Sequence, residues 1–392
     1  MIIPIAQPFL GFEEADAARA VVLSGWLSQG SEVASFETEF AADVCARHAC
    51  AVSNCTTALH LALLAVGVRQ GSEVVTVSHS FIAGANSIRH VGAIPVFVDI
   101  EEGGFNIDPS RIADAITPRT QAILCVHQMG MPCDLQSVSA IAKQYSLPLI
   151  EDAACAIGSQ IRIDDTWRKI GKPHGDIVCF SFHPRKVLTT GEGGMLTTDN
   201  DDHDRFFRLA RQHGMSISDG VRHASPRVIF EEYLTTGYNY RMTDIQAAIG
   251  RQQLKRLPEI VARRRSLAMR YRVLLTAVSG VRAPSEPGWT KSNWQSFAIS
   301  LDIGLDQKRV MQHMLDNGVA TRRGIMCAHR EAAYTADPRP HALGRSEAAQ
   351  DRSILLPLFP QMTDEAQQQV VDALRAAIKA CSKTPAMRLV KA

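Results

Sequence analysis

Short, near-continuous apolar runs recur along the first half of the chain, separated by stretches of helical period. The runs SEVVTVS (72–78), AIPVFVDI (93–100), TQAILCVHQ (120–128), LPLIED (147–152), GDIVCFSF (175–182) and GGMLTT (193–198) have strand length and little alternation. That is the pattern of strands buried on both faces. Between them, SNCTTALHLALLAVG (53–67) reads as a helix opened by Ser53 or Asn54 and stopped by Gly67, and CDLQSVSAIAKQYS (133–146) as another. The alternation predicts an α/β fold with a mostly parallel sheet covered by helices. Ligands of such sheets sit beyond the carboxyl ends of the strands. His79, His127, Asp152, Ser181 and Lys186 fall at those ends.

Residues 1–45 read as an N-terminal arm and helix. The stretch 242–275 is helical in pattern, with Pro258 expected to kink or divide it. It leads to a second unit with a strand near 293–301, a helix near 306–315 and a closing helix over 363–380. Residues 330–348 read as a polar surface loop. The expected division is a large α/β domain with its arm over 1–245, then a bridging helix and a smaller α+β domain over 246–392. There is no internal repeat.

Composition narrows the class without naming a reaction. The 392 residues are 46% apolar, enough for a large core and two domains. Lys plus Arg number 42 against 40 Asp plus Glu, a formal charge of +2, so nothing calls for nucleic acid or an acidic membrane. The run RRR at 263–265 reads as a solvated helix face. The pair Arg322 and Arg323 follows a turn at Asn317 and Gly318 and is open to either a surface or an anion-binding role. Nine cysteines, with no CxxC, fit a reducing compartment and buried thiols. Cys125, His127 and Cys133 lack a second ligand pair at zinc spacing, so no metal is expected. Pro4 and Pro8 interrupt the early apolar stretch, no basic segment precedes it, and no apolar run reaches membrane-spanning length. A cytoplasmic protein is expected.

The candidate chemistry lies in a few positions. Thr56 and Thr57 stand in the first turn of a helix, where free amides and the dipole suit a phosphate; ordinary N-terminal polarity explains them as well. Asp152 ends a strand, where a carboxylate either partners a protonated ring nitrogen or caps a turn. Ser181 is a phosphate contact or a satisfied core serine. Lys186 stands between a strand and TTGEGG, where Gly191, Gly193 and Gly194 allow tight turns and close backbone approach. An amine nucleophile there requires desolvation or neighbouring cations to be free at neutral pH. The glycines match neither GxGxxG nor GxxxxGK[ST], which argues against a dinucleotide oxidoreductase. Together with Phe81, an aromatic after a strand, these groups suit pyridoxal phosphate: the acid holds the pyridine nitrogen protonated and the lysine bonds the cofactor and moves the proton.

Eight pieces, AVSNCTTALHLAL, VSHSFIAGANSI, GAIPVFVDI, VHQMGMPCDL, IEDAACAIG, FSFHPRKVLTTGEGGM, RQHG and GYNYRMTDIQAAIG, occur in order. With them the chain resembles the DegT/DnrJ/EryC1/StrS family of sugar aminotransferases, most of all its GDP-perosamine synthase-like members. The resemblance implies a pyridoxal phosphate fold-type I (aspartate aminotransferase-like) architecture with a seven-stranded central sheet. It gives Lys186 the covalent bond to the cofactor and Asp152 the pyridine nitrogen. Ser181, Thr56 and the Thr57 amide contact the phosphate, Phe81 stacks on the ring, and Asn239 reaches the phosphate from the other subunit of a homodimer. Cys155 stands where the family often has Gln or His near the ring hydroxyl, and Asn54-Cys55-Thr56 where it often has Ser-Gly-Thr. Members that remove a sugar hydroxyl carry histidine in place of the lysine, so Lys186 sets this chain apart from such dehydratases; a non-catalytic relative would lack the lysine or the aspartate. The implied reaction passes an amino group from glutamate, through pyridoxamine phosphate, to a nucleotide-linked 4-keto-6-deoxy sugar destined for a lipopolysaccharide O-antigen, a capsule or a glycosylated metabolite. By charge and position, Arg241, Arg322, Arg323, His329 and His213 are candidates for the substrate. His213 is equally placed to pack against the sheet.

Overall fold

The computed structural model describes residues 2–335 and 342–382. Among the described residues, nine strands form in the first half: β1 His48–Val52, β2 Glu73–Val77, β3 Ile94–Val98, β4 Thr120–Val126, β5 Leu149–Asp152, β6 Gln160–Ile163, β7 Thr166–Lys169, β8 Ile177–Ser181 and β9 Gly194–Thr198. Seven make the central sheet, in the order β1-β9-β8-β5-β4-β2-β3. The β3-β2-β4-β5-β8 portion is parallel, and β9 runs antiparallel to both β8 and β1. Every residue of β2, β5 and β9 is buried, which is why their runs lack alternation. The architecture is the α/β, fold-type I one expected.

Several elements differ from the sequence reading. Residues 1–45 hold two helices, Phe12–Ser24 and Ser31–Val44, divided by Gly25, which takes a left-handed φ of 77°. Strand β1, the β6–β7 hairpin and the helix Asp201–Ala210 have no expected counterpart. β6 and β7 alternate only weakly, being a small sheet on the surface of the first core rather than a buried layer.

The second half adds β10 Val281–Arg282, β11 Thr290–Lys291, β12 Phe297–Leu301, β13 Arg322–Arg323 and β14 Ser353–Leu356. β10, β12, β14 and β13 form an antiparallel sheet, while β11 pairs back onto β6. The helices Gln307–Asp316 and Asp364–Ser382 stand close to the expected limits. The segment expected as loop over 330–348 includes a buried Tyr334 and the start of the helix Gly344–Arg352; its residues 336–341 lie outside the described residues.

Pro258 does not divide the long helix, which runs unbroken over 32 residues, Asp244–Leu275. Packing on both halves holds it. Leu254, Leu257, Ile260 and Val261 belong to the core under the central sheet, and Leu267, Ala268, Tyr271 and Leu275 to the core of the second sheet. Burial of those faces outweighs the one backbone bond a proline removes. The RRR run is likewise no solvated face. Arg264 is buried and donates through Nη1 to the carbonyls of Trp294 (3.1 Å), Gln295 (3.2 Å) and Leu358 (3.2 Å). Arg263 reaches the Pro360 and Met362 carbonyls, and Arg265 those of Ser292, Lys291 and Gly158. These arginines satisfy irregular backbone that would otherwise be orphaned.

Candidate active site

The site forms where β5, β8 and the helix Cys55–Ala65 converge. Asp152 is the last residue of β5 and pairs in register with Cys179 of β8. Its side chain is buried, and Oδ1 accepts from the Ala154 amide at 2.9 Å. Burial raises its pKa above the ordinary carboxylate value; the Ala154 amide, Lys186 and His127 work in the opposite direction. Glu151 faces the other side of the sheet. It binds the His174 and Gly175 amides and meets His127 Nε2 at 3.2 Å, while His127 Nδ1 lies 3.2 Å from Cys133 Sγ. His127 is thus held in a structural network, and among the described residues no three His, Cys, Asp or Glu side chains are grouped to hold a metal ion.

Lys186 is half-buried, five residues after Ser181, and its Nζ lies 3.1 Å from Cys155 Sγ. Burial disfavours the ammonium, but Cys155, Cys55 and Asp152 favour it, and the pKa is raised. The protein's own groups therefore hold this amine charged, contrary to the depressed value an amine nucleophile requires. Of the glycines after it, Gly191 is required by its φ of 84°, and Gly193 and Gly194 by contact. A Cβ on Gly194 would meet Asn54 C and O at 2.5 Å and Cys55 N at 2.8 Å, so β9 lies directly against the helix start.

At that start, Asn54 caps the helix, accepting from Thr57 N at 2.9 Å, while Thr57 Oγ1 donates to Asn54 O at 2.7 Å. The Thr57 hydroxyl is spent on the cap, and the half-buried Thr56 is the one whose side chain stands clear of it. Cys55 occupies the first helical position, where no glycine is needed: it is not among the residues with positive φ.

Ser181 is half-buried at the end of β8, opposite Gly194. Phe81, after β2, is 64% exposed. Asn239 is exposed and bridges to Gln212 through the backbone. His213 is exposed at φ 64° and does not pack against the sheet. Of the cationic candidates, His329 is taken up by Ser78 Oγ (2.7 Å at Nδ1) and Glu347 (3.1 Å at Nε2), and Arg323 by Glu331 at 3.5 Å. Both are ties within the chain. Burial disfavours the protonated forms of Arg185 and His183, and Arg322, exposed on β13, adds to this at both. Arg241 is half-buried on the approach to the long helix.

Sequence reasoning missed two groups. Arg185 adds a second cation beside Lys186. Asn293, fully buried, donates to the Cys155 and Ile157 carbonyls at 2.8 and 2.7 Å. A polar triplet ahead of an apolar strand was its only signal.

Residues 9–375 match the DegT/DnrJ/EryC1/StrS aminotransferase family. The spore coat polysaccharide biosynthesis protein SpsC of Bacillus subtilis (strain 168) is 36% identical over 387 residues, covering 96% of this chain and 97% of that protein. The aminotransferase TlmJ from Streptoalloteichus hindustanus superposes with a TM-score of 0.89 at 33% identity, over 97% of this chain and all of that one. DesI, solved in the presence of its TDP-sugar product, gives 0.85 at 30% identity, over 97% and 94%.

Proposed function

The chain belongs to the DegT/DnrJ/EryC1/StrS aminotransferase family, and from that premise we propose that it transfers an amino group from glutamate to a keto group of a nucleotide-linked sugar, with pyridoxal phosphate held at Lys186. The observation that carries the reading is the convergence of the Lys186 amine and the buried Asp152 carboxylate on neighbouring ends of β8 and β5, beside an open helix start.

The residues fit the cofactor. Thr56, the amides of the Cys55–Ala65 helix start and Ser181 form a phosphate cradle, and Gly194 keeps that cradle clear of a Cβ. Asp152 is dry and has one oxygen on the Ala154 amide, which leaves the other for a ring N–H. Phe81 supplies a face for the ring. Once bound, the cofactor serves as the electron sink for the substrate carbon. Lys186 holds and moves the proton at Nζ. Cys155 and Cys55 are the larger supports of its ammonium form and Asp152 the smaller one, and pairing of the acid with a ring N–H would offset that smaller part. Cys155 Sγ stands next to that nitrogen, where relatives often carry a stronger hydrogen-bonding side chain.

Arg185 and Arg322 make a positive mouth that suits a diphosphate. Asn239, exposed on its own subunit, completes the cradle of a second copy in a homodimer with shared sites. The DesI structure with a TDP-sugar supports a nucleotide-linked substrate, and the resemblance to SpsC supports a role in polysaccharide biosynthesis; the cytoplasm is the compartment we assign to it. A 4-keto-6-deoxy sugar is the substrate the motifs favour.

The test runs the reaction backwards. Amino-sugar nucleotides are offered with 2-oxoglutarate and glutamate is measured. We expect turnover that Lys186→Ala abolishes together with the visible absorbance of the bound cofactor. A protein that carries the cofactor yet forms no glutamate from any such nucleotide would overturn the substrate assignment.

A further inference from the structure

We propose that Asn293 and Gln295 are positioning residues that hold the two walls of the Lys186 site at their working separation, an inference that rests on the reading of that site given above. The contacts close a ring. Asn293 Nδ2 donates to the Cys155 carbonyl at 2.8 Å, and Cys155 Sγ meets Lys186 Nζ at 3.1 Å. Gln295 Nε2 donates to the carbonyl of Arg185, the residue before Lys186, at 2.9 Å. Asn293 Oδ1 then accepts from the Gln295 amide at 2.8 Å. One side chain grips the wall that carries the thiol, the other grips the wall that carries the amine, and a single hydrogen bond joins them.

The rest of the segment is built to keep that ring still. Trp294, between the two, is buried at φ 51°, a left-handed conformation that is uncommon for a bulky residue and is kept only where the surroundings enforce it. Arg264 Nη1 holds the carbonyls of Trp294 and Gln295 from behind, and Arg265 Nε that of Ser292 at 2.8 Å. The Asn293 amide donates to Ser159 Oγ at 2.9 Å, and that hydroxyl donates to the Gly130 carbonyl at 2.7 Å. Gly130, at φ 92°, has no room for a Cβ, which would collide with Asn293 Oδ1. Trp294 packs in the second core, so the ring ties the position of the amine and thiol to the second sheet's core. Reacting groups displaced by about 1 Å lose about a hundredfold in rate, which gives such a tie a function.

The experiment uses the full chain with Gln295→Ala, Gln295→Glu and Asn293→Ala. Three quantities are followed: the melting temperature, the rate at which added pyridoxal phosphate develops its lysine-bound visible absorbance, and the alkylation rate of Cys155 by iodoacetamide in cofactor-free protein, read by peptide mass spectrometry. Gln295→Ala should fold, capture the cofactor about tenfold more slowly and alter Cys155 alkylation severalfold. Gln295→Glu, which keeps the shape and loses the donor, should match it. Wild-type capture and alkylation in both Gln295 variants would overturn the proposal, as would changes that follow the melting temperature alone. Asn293→Ala should show the larger effect; if it does not fold, the Gln295 pair decides. If wild-type protein captures no cofactor, the functional reading falls, and the Cys155 alkylation rates still decide this one.

Discussion

Lys186 and Cys155 face each other amine to thiol, 3.1 Å apart, at the end of the central sheet. Burial lowers the pKa of the amine and the neighbouring sulfur raises it, with the raised value prevailing. Cys155→Ala removes that support. The amine's pKa should fall, a larger share should be unprotonated at neutral pH, and the pH profile of cofactor capture should move to lower pH. Stopped-flow absorbance across pH reads this directly; an unmoved profile would show that the thiol does not act on the amine.

Gly194 touches the backbone of Asn54 and Cys55, atoms with no freedom to move aside. Gly194→Ala should cost about 2 kcal/mol by overpacking and weaken cofactor retention, because it displaces the helix start. Gly191, at φ 84° with open space around it, gives the comparison: Gly191→Ala should cost about 1 kcal/mol and leave retention intact. Thermal melts and dialysis against cofactor-free buffer separate the two effects.

Arg264→Met should destabilise by about 3 kcal/mol, since three buried carbonyls lose their donor at once. Chemical denaturation midpoints measure it. A solvated arginine would give a change within about half a kcal/mol.

His79 is buried against the Phe105 ring, with centroids 5.6 Å apart, and burial pushes its pKa from 6.5 down to about 4. In the unfolded chain it takes up a proton near the ordinary value. Between those two pH values the unfolded state binds more protons, so stability rises with pH and is lost on acidification from pH 6.5 towards 4. The loss should reach about 3 kcal/mol. His79→Phe should abolish that portion of the acid sensitivity, which urea midpoints at pH 7, 5.5 and 4.5 would register.

Six of the seven strands of the central sheet were legible because a strand buried on both faces leaves a continuous apolar run, and Asp152 and Lys186 were legible because they stand at, or shortly after, the ends of such runs. The helix cap at Asn54 is a local hydrogen bond and could be read as one. β1 was not legible, because its residues HACAV are small or polar although the strand is as long as β2 and nearly as buried; nor was the half-exposed β6–β7 hairpin, nor the helix Asp201–Ala210, whose polar DDHD start masks its apolar face. Pro258 misled because the packing that overrides it comes from two separate cores.

The amino-acid sequence by itself determined the layered α/β order, the candidate polar residues at the strand ends and the glycine turn beside Lys186, all of which depend on neighbours within a few positions. Only the tertiary structure decided what each long polar side chain serves. Arg264 and Arg265 hold loop carbonyls, His329 and Arg323 are tied within the chain, and Asn293 and Gln295 brace the walls around Lys186. The roles of Arg264, Arg265, Asn293 and Gln295 depend on backbone carbonyls roughly a hundred residues away, and those of His329 and Arg323 on the side chains of Ser78, Glu347 and Glu331 that the fold brings to them; the hydrophobic pattern carries no trace of either.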